Sequence, residues 1–382
     1  MLPYGRHWIA EDDIRAVVEV LRSDWLTTGP MVERFERALA DYVGTAEAVA
    51  VSSGTAALHA AMFALGIAPG DEVIVPAMTF AATANCVVYQ GGVPVFADVD
   101  PQRLLLDPAD AQARITVRTR AIIAVDYAGQ PCDYGALRAI ARRHGLALVA
   151  DASHALGAKE HAVPVGSLAD LSTFSLHPVK PITAGEGGVV TTNDAEQAAR
   201  MRRFRSHGID RESAARNGPW HYEMRELGYN YRLSDIQCAL ACAQLPRLDG
   251  WVARRQAIAR RYDQAIAAIP GICPLAVRSG VSHAYHLYVV RLDPDVLGLD
   301  RRALVAALRN EGIGASVHYI PVHLHPYYRE HFSTGPGLCP VAEAAYETIL
   351  TLPLFPAMTD DDVAAVIAAL KKVTQPSGAR RT

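Results

Sequence analysis

Between about residue 46 and residue 195, short β-rich runs alternate with helical stretches, and no other feature restricts the possible fold as strongly. The runs cover residues 48–52, 72–76, 94–98, 121–126, 147–151, 171–176 and 188–192. Between them, 55–65, 81–89 and 134–144 keep their apolar side chains on one face at helical spacing. Strands that read as nearly continuous apolar runs, each followed by a helix, need cover on both faces. That predicts a mostly parallel, seven-stranded α/β sheet. Ligands of such sheets collect beyond the carboxyl ends of the strands. The turn at 53–55, Asp151 and Ser175 are therefore expected on the ligand face.

A different pattern follows. A long helical region at 234–269 carries Pro246 and Gly250, expected to kink or break it. Beyond it, 285–292 and 315–320 read as strands, and 301–310, 341–349 and 361–372 as helices, a smaller α+β arrangement. A chain of 382 residues exceeds a single compact core. The expected division is a large domain over 1–250, a small C-terminal α+β domain over 251–375 and a disordered tail over 376–382. The helix predicted at 11–23 is expected to pack with the small domain.

Composition narrows the function. A formal net charge of -3 without a Lys/Arg block offers no footprint for nucleic acid. The pair Arg380-Arg381 reads as solvated tail. No apolar stretch approaches the roughly 20 residues a membrane span needs, and the N-terminus lacks a signal-peptide pattern, so a cytoplasmic protein is expected. Six cysteines without C-x-x-C spacing read as free, mostly buried thiols. Cys238 and Cys242 have no further ligand nearby, so no metal is expected.

Three windows carry chemistry. In Phe174-Ser175-Leu176-His177-Pro178-Val179-Lys180-Pro181, a lysine held between prolines ahead of a Gly-rich turn suits a Schiff-base amine, which needs a fixed backbone and partial desolvation. Ser175 could place a hydroxyl on a phosphate. Taken alone, the window reads equally as a surface lysine on a loop. In Val149-Ala150-Asp151-Ala152-Ser153-His154, a carboxylate ending an apolar strand needs a cationic partner such as a protonated pyridine nitrogen, or else serves as a helix N-cap. In Ser52-Ser53-Gly54-Thr55-Ala56, a strand enters a helix start able to bind phosphate, or an ordinary turn. Phe80, after another strand, could stack on a cofactor ring or lie in the core.

Their order along the chain resembles the DegT/DnrJ/EryC1/StrS sugar aminotransferases, over about residues 3 to 373. Within that family the likeness is strongest to the transaminases of pseudaminic acid biosynthesis. It is carried by Lys180-Pro181-Ile182-Thr183, Asp126-Tyr127-Ala128-Gly129, Ser153-His154-Ala155-Leu156-Gly157, Tyr231-Arg232-Leu233-Ser234 and Val317-His318-Tyr319. The resemblance implies fold type I and a pyridoxal 5'-phosphate cofactor held by Lys180 as a Schiff base. It places Asp151 on the pyridinium nitrogen, Phe80 on the ring, His154 near the phenolic side, and Gly54, Thr55 and Ser175 on the phosphate. Asn230 would reach the phosphate from a partner subunit, making the site shared across a homodimer. Tyr4, Arg232, His318 and Tyr319 would lie near the sugar nucleotide. The implied reaction moves the amino group of L-glutamate to the C4 ketone of a nucleotide-linked 4-keto-6-deoxy sugar, UDP-4-keto-6-deoxy-N-acetyl-L-altrosamine. Other nucleotide-linked keto sugars remain open. Family dehydratases carry histidine where this chain has Lys180, which argues against that reaction, and a non-catalytic cofactor-binding role is the remaining alternative.

Overall fold

The computed structural model describes residues 1–210 and 218–375, so the tail expected at 376–382 lies outside the described residues. The seven expected runs form one sheet. Its strands are β1 (Glu47–Val51), β2 (Glu72–Pro76), β3 (Val93–Ala97), β4 (Thr119–Val125), β5 (Ala147–Asp151), β6 (Leu171–Ser175) and β7 (Gly188–Thr192), in the order β1-β7-β6-β5-β4-β2-β3. The pairs from β6 through β5, β4 and β2 to β3 are parallel, and β7 runs antiparallel to both of its neighbours. Burial explains the unbroken apolar runs: Ile122, Ile123 and Ala124 of β4 and Leu148 and Val149 of β5 are fully enclosed. Each Ile, Leu or Val side chain so enclosed contributes roughly 1.5–3 kcal/mol.

Helices α3 (Gly54–Ala64), α4 (Ala82–Tyr89) and α5 (Tyr134–His144) match the expected stretches within a residue or so. Their ends follow local chemistry. Ser53 caps α3 by accepting from the Ala56 N–H at 3.0 Å, Asp133 caps α5 through the Ala136 N–H, and Gly145 ends α5 in the left-handed region. Helix α2 (Pro30–Val43) escaped the sequence reading, although its Pro at the first position and Gly44 at φ 76° were legible signals.

The long helical region divides into α6 (Asp235–Gln244) and α7 (Leu248–Ile266), separated by a 3-10 turn at Leu245–Arg247. Pro246 thus breaks the helix as expected, whereas Gly250 sits inside α7 and interrupts nothing. A second, antiparallel sheet of β8 (Ile272–Pro274), β9 (Tyr288–Leu292) and β10 (Ile349–Leu352) packs with α7, α8 (Arg301–Asn310) and α9 (Asp360–Val373) around Tyr262, Leu304, Leu350 and Val366. The strand expected from 285 begins only at Tyr288, because Tyr285 turns the chain with φ 48°. The strand expected over 315–320 is irregular chain with one isolated bridge, Ser316 to Thr351.

Helix α1 (Glu11–Leu21) corrects a further expectation. It packs chiefly on α6, and its buried Asp13 pairs with Arg247. The residues before it reach the C-terminal part, through Trp8 stacked on Trp251 with ring centroids 5.8 Å apart, Leu2 N–H to Gly312 O at 2.8 Å and Leu354 N–H to Tyr4 O at 3.1 Å. Of the cysteines, Cys273 is exposed and Cys242 partly so; the other four are buried.

Candidate active site

A cavity of about 430 Å³ opens at the carboxyl ends of β1, β2, β4, β5 and β6, where a parallel sheet presents its loops. It is lined by Ser53, Gly54 and Thr55 after β1, by Thr79 and Phe80 after β2, by Asp151, Ser153 and His154 at the end of β5, and by Ser175 and Lys180. Tyr4, His286, His318 and Tyr319 close it from the other side.

Each group on the sheet side is fixed by the element beneath it. Asp151 is the last residue of β5 and only 6% exposed. Its carboxylate accepts from the Thr83 hydroxyl at 2.7 Å and the Ser153 N–H at 3.2 Å, and Thr83 is itself held by Thr79 at 2.7 Å. Thr79 and Thr83 sit one helical turn apart at the entry to α4, a spacing visible in the sequence but unread there. Lys180, on a loop pinned by its own N–H to His177 O at 2.9 Å, places its amine within electrostatic reach of Asp151 in the same cavity. Burial lowers the pKa of that amine from 10.5 to about 8, against the opposing pull of Asp151.

The phosphate turn is equally specific. With Ser53 capping Ala56, the N–H groups of Gly54 and Thr55 have no partner among the described residues and sit at the positive end of α3. A Cβ on Gly54 would lie 2.8 Å from Ser175 Cβ, and one on Gly188 would lie 2.2 Å from Ser53 O. Glycine at both positions lets this turn lie flat against the ends of β6 and β7, with the Ser175 hydroxyl alongside. An anion cradle, a carboxylate and a desolvated amine around one cavity, with Phe80 59% exposed at its edge, fit a phosphorylated pyridine aldehyde.

The imidazoles around the cavity are neutral. Burial holds the His154 and His286 imidazoles well below their ordinary pKa and His318 at about 4, each pushed further by the Lys180 charge. The Tyr319 hydroxyl lies 3.1 Å from His154 Nε2, burial pushes its pKa upward, and its ring is 5.9 Å from that of Phe80. His318 is anchored through Nδ1 to the Thr351 hydroxyl at 2.9 Å, and its carbonyl accepts from the Tyr127 hydroxyl.

The fold agrees with that of known proteins. The model of the DegT/DnrJ/EryC1/StrS aminotransferase family matches residues 7–371. The chain belongs to that family. It is 43% identical over 378 residues to the Bacillus subtilis spore coat polysaccharide biosynthesis protein SpsC, covering 98% of this chain and 97% of that protein. Among solved structures, Spr1654 of Streptococcus pneumoniae in its PMP-form superposes with a TM-score of 0.92 at 33% identity, covering 98% and 99% of the two chains. The Helicobacter pylori aminotransferase PseC, involved in pseudoaminic acid biosynthesis, gives 0.91 at 31% identity, again covering 98% and 99%. As a DegT/DnrJ/EryC1/StrS member, the chain is a fold type I, pyridoxal-phosphate-dependent sugar aminotransferase.

Of the residues singled out from sequence, Lys180, Asp151, His154, Gly54, Thr55, Phe80, Ser175, Tyr4, His318 and Tyr319 all line the cavity. Asn230 and Arg232 do not: Asn230 is exposed and bridges to Ser206 away from it. Sequence reasoning missed His286, whose signal was weak, a histidine in a turn two residues before a strand. No helix among the described residues is long and apolar enough to cross a membrane.

Proposed function

We propose that this enzyme transfers the amino group of L-glutamate to the C4 ketone of a nucleotide-linked 4-keto-6-deoxy sugar, with UDP-4-keto-6-deoxy-N-acetyl-L-altrosamine as the expected acceptor. The observation that carries the reaction type is the Lys180 amine, its pKa lowered to about 8, set beside the Asp151 carboxylate at the end of β5. Similarity to PseC over nearly the whole chain supports the sugar class.

Lys180 is the residue that carries the cofactor. When bound, pyridoxal phosphate supplies an electron sink for the carbon that gains or loses the amino group. Asp151, kept in place by Thr83 and the Ser153 N–H, would hold a proton on the ring nitrogen. Gly54, Thr55 and Ser175 would bind the phosphate, and Phe80 would pack against the ring. The Lys180 amine, with its pKa lowered to about 8, would take up and release a proton near that pH, and so would carry one between the two carbons that flank the transferred nitrogen. Tyr4, His318 and Tyr319 border the sugar side.

A second copy of the chain completes the site. Trp220 and Leu227 are 77% and 72% exposed, and Tyr222, Met224 and Tyr229 lie open on the same stretch that leads to Asn230 and Arg232. So much exposed apolar surface favours a protein partner, and in a homodimer it would deliver Asn230 to the partner's phosphate.

The acceptor is tested by supplying L-glutamate with UDP-, dTDP- and GDP-linked 4-keto sugars and measuring 2-oxoglutarate and amino sugar. Turnover confined to 3-keto sugars, or to a donor other than glutamate, would sink this assignment. Mixing Lys180→Ala dimers with Asn230→Ala dimers tests the shared site: subunit exchange should restore part of the activity that each lacks.

A further inference from the structure

Arg255, near the middle of α7, is 2% exposed and forms no ion pair among the described residues. Burying a guanidinium without a carboxylate is costly unless oriented dipoles stand in for the anion. Here the dipoles are three backbone carbonyls. Arg255 Nη1 donates to Leu354 O at 3.0 Å, to Tyr285 O at 3.1 Å and to His286 O at 3.3 Å. Burial lowers the pKa of the group only to about 10, so it keeps its charge at neutral pH.

Two of these carbonyls are consecutive. An extended strand sends successive carbonyls to opposite sides, whereas Tyr285, at φ 48°, lets both converge on one nitrogen. The next residue of α7 continues the grip: Gln256 Nε2 donates to His283 O at 3.0 Å and to the Ser282 hydroxyl at 3.1 Å. The segment's N–H groups bond elsewhere, Ala284 to Gly129 O at 2.9 Å and Leu287 to Ala128 O at 3.1 Å. Residues 282–287 are therefore held to α7 by their oxygens and to the turn after β4 by their N–H groups. The third carbonyl belongs to Leu354, whose N–H donates to Tyr4 O at 3.1 Å. His286 and Tyr4 both line the active-site cavity, and Arg255 does not.

We propose that Arg255 is a positioning residue for the sugar side of the active site: by gathering carbonyls from two separate segments, its guanidinium sets where His286 and Tyr4 stand relative to each other. The inference rests on the reading of this cavity as the transamination site. Glutamate reacts against the sheet wall, with Lys180 and Asp151. A displaced His286 or Tyr4 is therefore felt mainly by the larger sugar nucleotide.

The two half-reactions, followed separately by cofactor absorbance in the loaded enzyme, test this with the nucleotide-linked 4-keto sugar that the wild type uses best. In Arg255→Met the sugar KM should rise about 10- to 100-fold while the rate with glutamate stays within about two-fold, as misplaced binding groups on one side require. Arg255→Lys keeps a cationic donor on a shorter stem and should show the same selective rise at a smaller size. It also carries the test if the Met variant does not fold. Equal losses in both half-reactions, or an unchanged sugar KM in a folded variant, overturn the proposal and leave Arg255 a purely structural residue. Hydrogen exchange on the same loaded proteins needs no sugar. The Leu287 and Leu354 amides should exchange at least about 10-fold faster in either variant, with those of β4 and β5 unchanged. Uniform acceleration, or none, overturns the positioning role by itself. Failure of the wild type to use any 4-keto sugar would instead sink the substrate assignment and leave hydrogen exchange to decide the role of Arg255.

Discussion

The two walls of the active-site cavity are built on opposite principles. On the sheet wall, Gly54, Asp151, Ser175 and Lys180 sit at or just beyond strand ends, positioned by a ladder of backbone hydrogen bonds that the strands themselves supply. On the C-terminal wall, His286, His318 and Tyr319 come from irregular chain. Single cross-connections tie them down: Ala284 N–H to Gly129 O at 2.9 Å, Leu287 N–H to Ala128 O at 3.1 Å and Val322 N–H to Ala77 O at 2.9 Å. The first wall concentrates charge and anion-binding dipoles. The second lines the space with imidazoles that burial keeps neutral. Chemistry common to any ligand of this cofactor needs the charges, whereas discrimination among sugars needs shape and neutral hydrogen bonds. On the proposed reading, the rigid wall would serve the first and the irregular wall the second.

Substitutions should separate the walls by size of effect. Lys180→Ala is expected to remove turnover by at least roughly 10³-fold, within the range lost with a general acid–base. A variant working near the wild-type rate with every sugar would place the chemistry elsewhere. On the same wall, Thr83→Val deletes the hydroxyl that supports Asp151. Loss of a hydrogen bond to a charged group costs about 1.5–3 kcal/mol, so kcat should fall by roughly 10- to 100-fold with the sugar KM nearly unchanged. Gly188→Ala would force a Cβ against Ser53 O. It should destabilise the fold by about 1–3 kcal/mol, seen in the thermal midpoint, and should weaken phosphate binding. Phe80→Ala, at the edge where the walls meet, should cost only about 0.5–1.5 kcal/mol of cofactor affinity, read by equilibrium titration.

Acidity offers the finest distinction. The Lys180 pKa is lowered to about 8, so its amine is protonated and unreactive below that value and free above it. Uptake of pyridoxal phosphate by the cofactor-free protein should accelerate from pH 7 to 9 and then level off, followed by absorbance. Between pH 6 and 9 the C-terminal wall should add no titration of its own, because His318 gains a proton only near pH 4 and His286 is held well below its ordinary value. A second inflection near pH 6.5 that disappears in His318→Asn would show that this wall is wetter than its burial implies.

The sheet wall was legible before any coordinates because its logic is local. A strand end displays its next residues on the ligand face, so the positions of Ser53, Asp151 and Ser175 followed from the apolar runs alone. The same argument placed Phe80 and Lys180 on neighbouring loops. The C-terminal wall resisted because its residues belong to no periodic element. His318 and Tyr319 were read as strand, and the backbone there makes only one bridge. His286 was read inside the strand expected from 285, whereas the strand begins only at Tyr288. Thr83 was hidden for another reason: its role depends on a partner, Asp151, that lies 68 positions away in the chain.

Sequence by itself determined the seven-stranded sheet and its ligand edge, because strand and helix periodicity set which side chains face the core and which end at the loops. Tertiary structure decided which distant residues face that edge and in what protonation state they do so. Burial is a property of the assembled surroundings, and the neutral histidines and the lowered amine pKa exist only once Lys180 and the three imidazoles are brought together out of water.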